Sequence, residues 1–271
     1  MNVANNKQII IADEEVALFC EATKDDNVIH KKTYMTPRHK RIVVPGMYLL
    51  ALASNYSAAF LKERARSVRV VFGSIISTNE SICFGQSLCE EEEKLSLYAF
   101  GESGDAFSLK DEYSYISAKG EMPAFPAGGT LHSLEVNPHQ IRSFTSLTKI
   151  EDSVVARFFF SVAYASMALF SAIRNPITET EKEINLLLDK SRNPAQLSPF
   201  YQSLEIFIPQ SPKILYPKGN IDYQVHLIRK KKHRLYAAHL RCMQSEKLVF
   251  QAKYDLIAIP DRLIMRMIKD L

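Results

Sequence analysis

Two stretches, "IVVPGMYLLALASNYSAAFL" (Ile42–Leu61) and "VVARFFFSVAYASMALFSAI" (Val154–Ile173), are apolar on nearly every side. That pattern predicts two long helices with no solvent face, each of which must be enclosed by other elements. After each comes a series of β-branched and aromatic runs with alternating polarity, bounded by Asn, Gly, Ser and Asp. In the first half these are "SVRVVFGSII", "SICFGQSLC", "KLSLYAFGE" and "EYSYISAKGEM". In the second they are "SLEIFIP", "NIDYQVHLIRK", "RLYAAHLRCM" and "KLVFQAKYDLIAI". Such runs predict strands. Upstream of each helix a short phrase recurs: Phe19, Thr23 and Lys24 in "FCEATK" return as Phe144, Thr148 and Lys149 in "FTSLTK". The chain therefore reads as two copies of one plan.

The plan implies an α+β fold in which an antiparallel sheet curls around a long central helix, twice in tandem. The boundaries expected are residues 1–122 for the first copy, a Pro- and Gly-rich linker at 123–138, and residues 139–271 for the second. Each copy also carries a charge run between two strand candidates, Glu90–Glu93 and Arg229–Arg234. Both read as solvated hairpin tips; the functional alternative for the basic run is a grip on an acidic carrier protein or a nucleotide phosphate.

Composition narrows the classes. Hydrophobic residues make up 46% of the 271 and the formal net charge is only +4, which describes a folded globular chain. No nucleic-acid-binding motif is present, and there is no tryptophan to stack on bases. Four cysteines, Cys20, Cys83, Cys89 and Cys242, have neither metal-type nor disulfide-type spacing. With an N-terminus unlike a signal peptide, they point to the cytoplasm. Val154–Ile173 has the length of a membrane span, but Arg157, several serines and a second stretch of the same kind favour a buried core helix. No metal constellation, Gly-rich phosphate loop or nucleophile elbow occurs.

One segment carries chemistry. "DDNVIH", Asp25 to His30, places two acids, an amide and a histidine just before the first apolar helix. It resembles the D-x-N-P-[LI]-H motif of the MaoC-like (R)-specific enoyl-CoA hydratases and dehydratases, with Asp25, Asn27, Ile29 and His30 at the matching positions. The family's following V-H-G-M segment corresponds to Val44, Gly46 and Met47, and Ser54 matches a serine further along the helix. The resemblance spans most of Asp13 to Gly120. Val28 stands in place of the motif proline, and Pro45 in place of the histidine before the glycine.

The resemblance implies a double hotdog fold. It also implies reversible hydration of trans-2-enoyl thioesters to (R)-3-hydroxyacyl thioesters, carried on CoA or an acyl carrier protein. Asp25 and His30 are then the catalytic pair, with Asn27 in support. The Gly46 backbone N–H serves the thioester oxygen, Ser54 faces the acyl pocket, and Ile29, Met47 and Leu50 contact substrate. No cofactor is implied. The two hotdogs would pair within one chain, with further assembly to a homodimer open. The chemistry suits these residue types, since an imidazole and a carboxylate touching one water can activate it and return its proton to carbon.

In the second copy the Phe19/Phe144 register sets Ile150 against Asp25 and Val155 against His30, so that half is expected to keep the fold without the chemistry. Two rival readings remain: thioester hydrolysis on the same fold, and a non-catalytic acyl-binding or assembly subunit.

Overall fold

The computed structural model describes residues 4–31, 42–73, 75–101, 114–179, 181–182, 197–209, 218–230 and 235–260. Among the described residues ten strands form one antiparallel sheet, with five α-helices packed against it. The first half contributes β1 (Ala4–Ile10), α1 (Asp13–Thr23), α2 (Gly46–Ser54), α3 (Ala58–Glu63), β2 (Ser67–Val71), β3 (Ser81–Cys89), β4 (Lys94–Gly101) and β5 (Ser114–Ser117). The second contributes β6 (Thr130–Val136), α4 (Pro138–Thr148), α5 (Ser153–Arg174), β7 (Leu197–Phe207), β8 (Gly219–Arg229), β9 (Leu235–Gln244) and β10 (Lys247–Pro260).

The strand order is β1-β3-β4-β5-β2-β7-β10-β9-β8-β6. It is a palindrome: replacing each first-half strand by its second-half counterpart reads the same order backwards. At its centre β2 and β7 pair antiparallel, from Ser67 opposite Phe207 to Val71 opposite Ser203, which fuses the two half-sheets into one.

The repeated phrase proves to be a helix end. Lys24 and Lys149 cap α1 and α4 in the left-handed conformation, at φ 52° and 55°. In both helices the threonine hydroxyl donates back to the phenylalanine carbonyl four residues earlier. The two phenylalanines are fully buried and meet each other, ring centroids 5.8 Å apart. The shared sequence thus encodes both a stop signal and the contact where the copies join.

The second apolar stretch forms the expected 22-residue helix α5, started by Asp152, whose carboxylate accepts from the N–H groups of Val154 and Val155. Ala163, Ala165, Ala168, Leu169 and Ala172 are buried on several sides of it. Among the described residues it is the one helix long and apolar enough to cross a membrane, and 72% of its apolar window lies inside the fold.

The first stretch departs from the expected single helix. Ile42 to Val44 run extended: the Val44 N–H donates to the Ile76 carbonyl, and Thr78 bonds Ile42 through its backbone N–H and its side chain. Pro45, in β geometry, then starts α2. A 3-10 turn at Asn55–Ser57 separates α2 from α3. Asn and Ser there compete with helical bonding, and the Ser57 hydroxyl turns to the Gln86 side chain.

Two further expectations change. Residues 130–136, read as linker, form β6 and pair along their length with β8, so this segment belongs to the second half-sheet. Residues 4–10 form β1, which pairs with β3. β1 and β6 each enter their half ahead of its helices, so the repeat begins one strand earlier than the apolar pattern suggests. Glu90–Glu93 is an exposed hairpin turn between β3 and β4. Of the basic run, residues 231–234 lie outside the described residues.

Candidate active site

The chain leaves α1 at Lys24, and the Asp25 N–H still bonds the Cys20 carbonyl inside the helix. Asp25 Oδ1 then accepts from the Asn27 N–H at 3.0 Å, a turn that acidic side chains favour. The Asn27 carbonyl accepts in turn from the His30 N–H at 3.1 Å, within a 3-10 turn over Val28–His30. This tight loop brings the two side chains together: His30 Nε2 lies 3.9 Å from Asp25 Oδ2, with side-chain exposures of only 8% and 9%.

A second contact fixes the imidazole. His30 Nδ1 lies 2.7 Å from the Val43 carbonyl oxygen. A carbonyl can only accept, so in the neutral ring Nδ1 carries the hydrogen and Nε2 presents its lone pair toward Asp25. The extended Ile42–Val44 segment, just ahead of the helix that starts at Gly46, is what positions that carbonyl.

Asp25, Asn27 and His30 line a mainly apolar cavity of about 360 Å³. Ile29, Gly46, Met47 and Leu50, all singled out from sequence, line it as well. Gly46 begins α2, where the first N–H groups of a helix have no intrahelical acceptor. The ring of Phe72 lies so close that a methyl group on Gly46 would come within 2.7 Å of it. Asn27 is 2% exposed, and its Oδ1 has no partner among the described residues.

Ser54 does not fit its expected place. It is fully buried, its hydroxyl donates to the Ala51 carbonyl at 2.7 Å, and it is absent from the cavity lining. A serine at the last position of a helix satisfies itself on its own backbone, and here that bond turns it away from the cavity.

Sequence reasoning missed the opposite wall. Phe170 from α5, and Phe200, Tyr201 and Ile257 from the second half-sheet, line the same cavity as Asp25 and His30. Tyr201 is pinned by rings on three sides, Phe72 at 5.8 Å, Phe170 at 6.0 Å and Tyr254 at 5.5 Å, while its hydroxyl donates to Ser166 at 2.7 Å. Burial, then the neighbouring Tyr254, pushes its phenol well above the ordinary range despite the Ser166 bond, and the Asp25 carboxylate adds to this. Burial and the same carboxylate also push the Cys20 thiol up, so it stays an un-ionised packing group. The available signal was the adjacent aromatic pair Phe200–Tyr201 just ahead of the strand candidate "SLEIFIP", which extends that strand at its start.

The second half has no counterpart of this loop. After the Lys149 cap, Ile150 is fully buried where Asp25 stands, and α5 begins at Ser153. Val155 is already inside that helix, so matching it to His30 by register fails: the first half has residues 25–45 between cap and helix, the second only 150–152.

No protein-family model matches this sequence, and no curated protein matches it. Solved structures do match in shape. A MaoC-like dehydratase is 10% identical, with a TM-score of 0.55 over 94% of this chain and 96% of that one. A protein of Mycobacterium tuberculosis described as having a double hotdog fold is 8% identical, with a TM-score of 0.54 over 93% and 94%. The chain is a double hotdog. A MaoC-like dehydratase from Phytophthora capsici, 8% identical, matches this double hotdog with a TM-score of 0.53 over 95% and 96% of the two chains. At these identities the likeness concerns the fold, and the chemistry has to be argued from the site.

Proposed function

We propose that this double hotdog is a hydro-lyase that adds water to trans-2-enoyl thioesters, giving (R)-3-hydroxyacyl thioesters, or runs the reverse dehydration. The observation carrying the reading is the buried Asp25–His30 pair, 3.9 Å apart, in the wall of a mainly apolar cavity. One water fits hydrogen-bonded to both groups. His30 Nε2 takes a proton from it while its oxygen bonds to C3, and the electron pair of the double bond moves toward the thioester oxygen. The imidazolium, stabilised by the Asp25 carboxylate, then returns the proton to C2. The N–H groups at the start of α2 suit the charge that develops on the thioester oxygen.

The dehydratase-like fold of the similar structures agrees with this reading, and the apolar lining suits an acyl chain on CoA or a carrier protein. The unpaired cysteines fit work in the reducing cytoplasm. The test is hydration of crotonyl-CoA and longer enoyl-CoAs, followed by loss of enoyl absorbance, with stereochemical analysis of the product. Asp25→Asn and His30→Ala are each expected to lower turnover by about 10²–10⁴-fold. Release of free thiol instead of enoyl loss would make the protein a thioesterase. Tight acyl-CoA binding with no turnover at any chain length would make it an acyl-binding subunit.

A further inference from the structure

A second cavity, of about 780 Å³, also reaches the same pair. Its walls come from the exposed face of α1 (Ala17, Glu21, Lys24), the loop residues Asp26 and Lys31, and Ser171 of α5. Three residues line both cavities: Asp25, His30 and Phe170. The catalytic pair therefore stands between two cavities, both largely apolar, and the second is set apart by the exposed charged residues at its rim.

Hydration consumes one water per turnover and dehydration releases one. A thioester seated in the first cavity covers that side of Asp25 and His30, so a reactant water needs another approach. Continuity of the second cavity with both groups supplies one. Its rim suits small polar molecules better than an acyl chain: Glu21, Lys24, Asp26 and Lys31 are exposed and of mixed charge, which also makes it a poor seat for a phosphate.

We infer that the second cavity is the water port of the site, delivering the reactant water to Asp25 and His30, and taking it away in reverse, while the thioester fills the first. The inference rests on the hydro-lyase reading. It divides the two substrates of the reaction between two chambers that share only the catalytic pair and one aromatic ring.

Filling the port tests it. Ser171→Trp places a large ring in the cavity from α5, and Ala17→Trp does so from the exposed face of α1, where a bulky residue leaves the core untouched. Neither position lines the acyl cavity. Each variant is assayed with crotonyl-CoA and, for binding alone, titrated with butyryl-CoA. The expected result is a fall in kcat of tenfold or more in both directions, with KM and butyryl-CoA affinity unchanged. A rise in KM with weakened butyryl-CoA binding would overturn the inference and assign the cavity to the thioester's carrier arm. Unchanged kcat in both folded variants would also overturn it. Wild-type protein that neither binds nor turns over thioesters would instead remove the hydro-lyase reading, and the port with it.

Discussion

At the residue scale, the site depends on backbone groups as much as on the side chains a motif names. Val43 contributes only its carbonyl, yet that oxygen decides which nitrogen of His30 faces Asp25. Gly46 matters through what it lacks. Gly46→Ala would put a methyl group 2.7 Å from Phe72 Cε1, and Phe72 is itself braced against Tyr201. Relieving such overpacking costs about 1–3 kcal/mol. Because Phe72 lines the cavity, kcat/KM for crotonyl-CoA is expected to fall by about tenfold or more, tenfold being about 1.4 kcal/mol, while circular dichroism still reports a folded protein. Ser54 gives the opposite expectation. Its hydroxyl is spent on the Ala51 carbonyl, so Ser54→Ala should leave kcat and KM within about twofold of wild type and alter only stability, by about 1 kcal/mol or less. A hundredfold loss of turnover would return Ser54 to the site.

At the scale of elements, α5 is the frame on which the second half packs, and Asp152 is its start signal. Burial opposes its ionisation, but the Lys62 side chain, at 2.9 Å, and the N–H groups of Val154 and Val155 outweigh that and hold its carboxyl below the usual range. Lys62 comes from α3, so the cap also ties the halves together. With the folded pKa below the unfolded one, the stabilisation is complete above about pH 4 and is lost as pH falls through the folded value. Asp152→Ala should lower stability by about 1–2 kcal/mol at pH 7, mostly through the cap. In urea titrations at falling pH, the gap between wild type and variant should narrow as pH falls below about 4. A gap that persisted there would mean that the carboxylate was not its source.

Across the whole molecule, the palindromic sheet and the joined helices make the two copies one cooperative structure. β2 and β7 pair without a break, Phe19 meets Phe144, and Gln140 donates to the Ala22 carbonyl across the same junction. Thermal unfolding should therefore be a single transition, with far-UV and tyrosine near-UV signals superimposed; the chain has 12 tyrosines and no tryptophan to complicate the latter. Phe144→Ala should cost about 3–5 kcal/mol. In a double-mutant cycle with Phe19→Ala, a coupling of about 0.5–1.5 kcal/mol is expected from the ring pair. Two separate transitions, or no coupling, would make the halves independent domains.

Much of this molecule was legible in the order of its residues, because local rules act on neighbours in the chain. Alternation marked the strands β3, β4, β8, β9 and β10, unbroken apolarity marked α5, and "FxxxTK" marked both left-handed helix ends. The motif Asp25-x-Asn27-x-x-His30 could be read for the same reason, since its side chains converge within a single turn. Where neighbours did not decide, the reading failed. Ile42–Val44 is apolar enough for a helix; Pro45 disfavours helix only at Val44, and the bonds to Ile76 and Thr78 hold the whole segment extended. Thr130–Val136 is a strand because β8 lies beside it. Tertiary packing alone decided that Val43 would set the His30 tautomer, and that Phe170, Phe200 and Tyr201 from the second half would wall the first half's site. Those contacts join residues far apart in the chain, and their energies exist only once the sheet has closed around both helices.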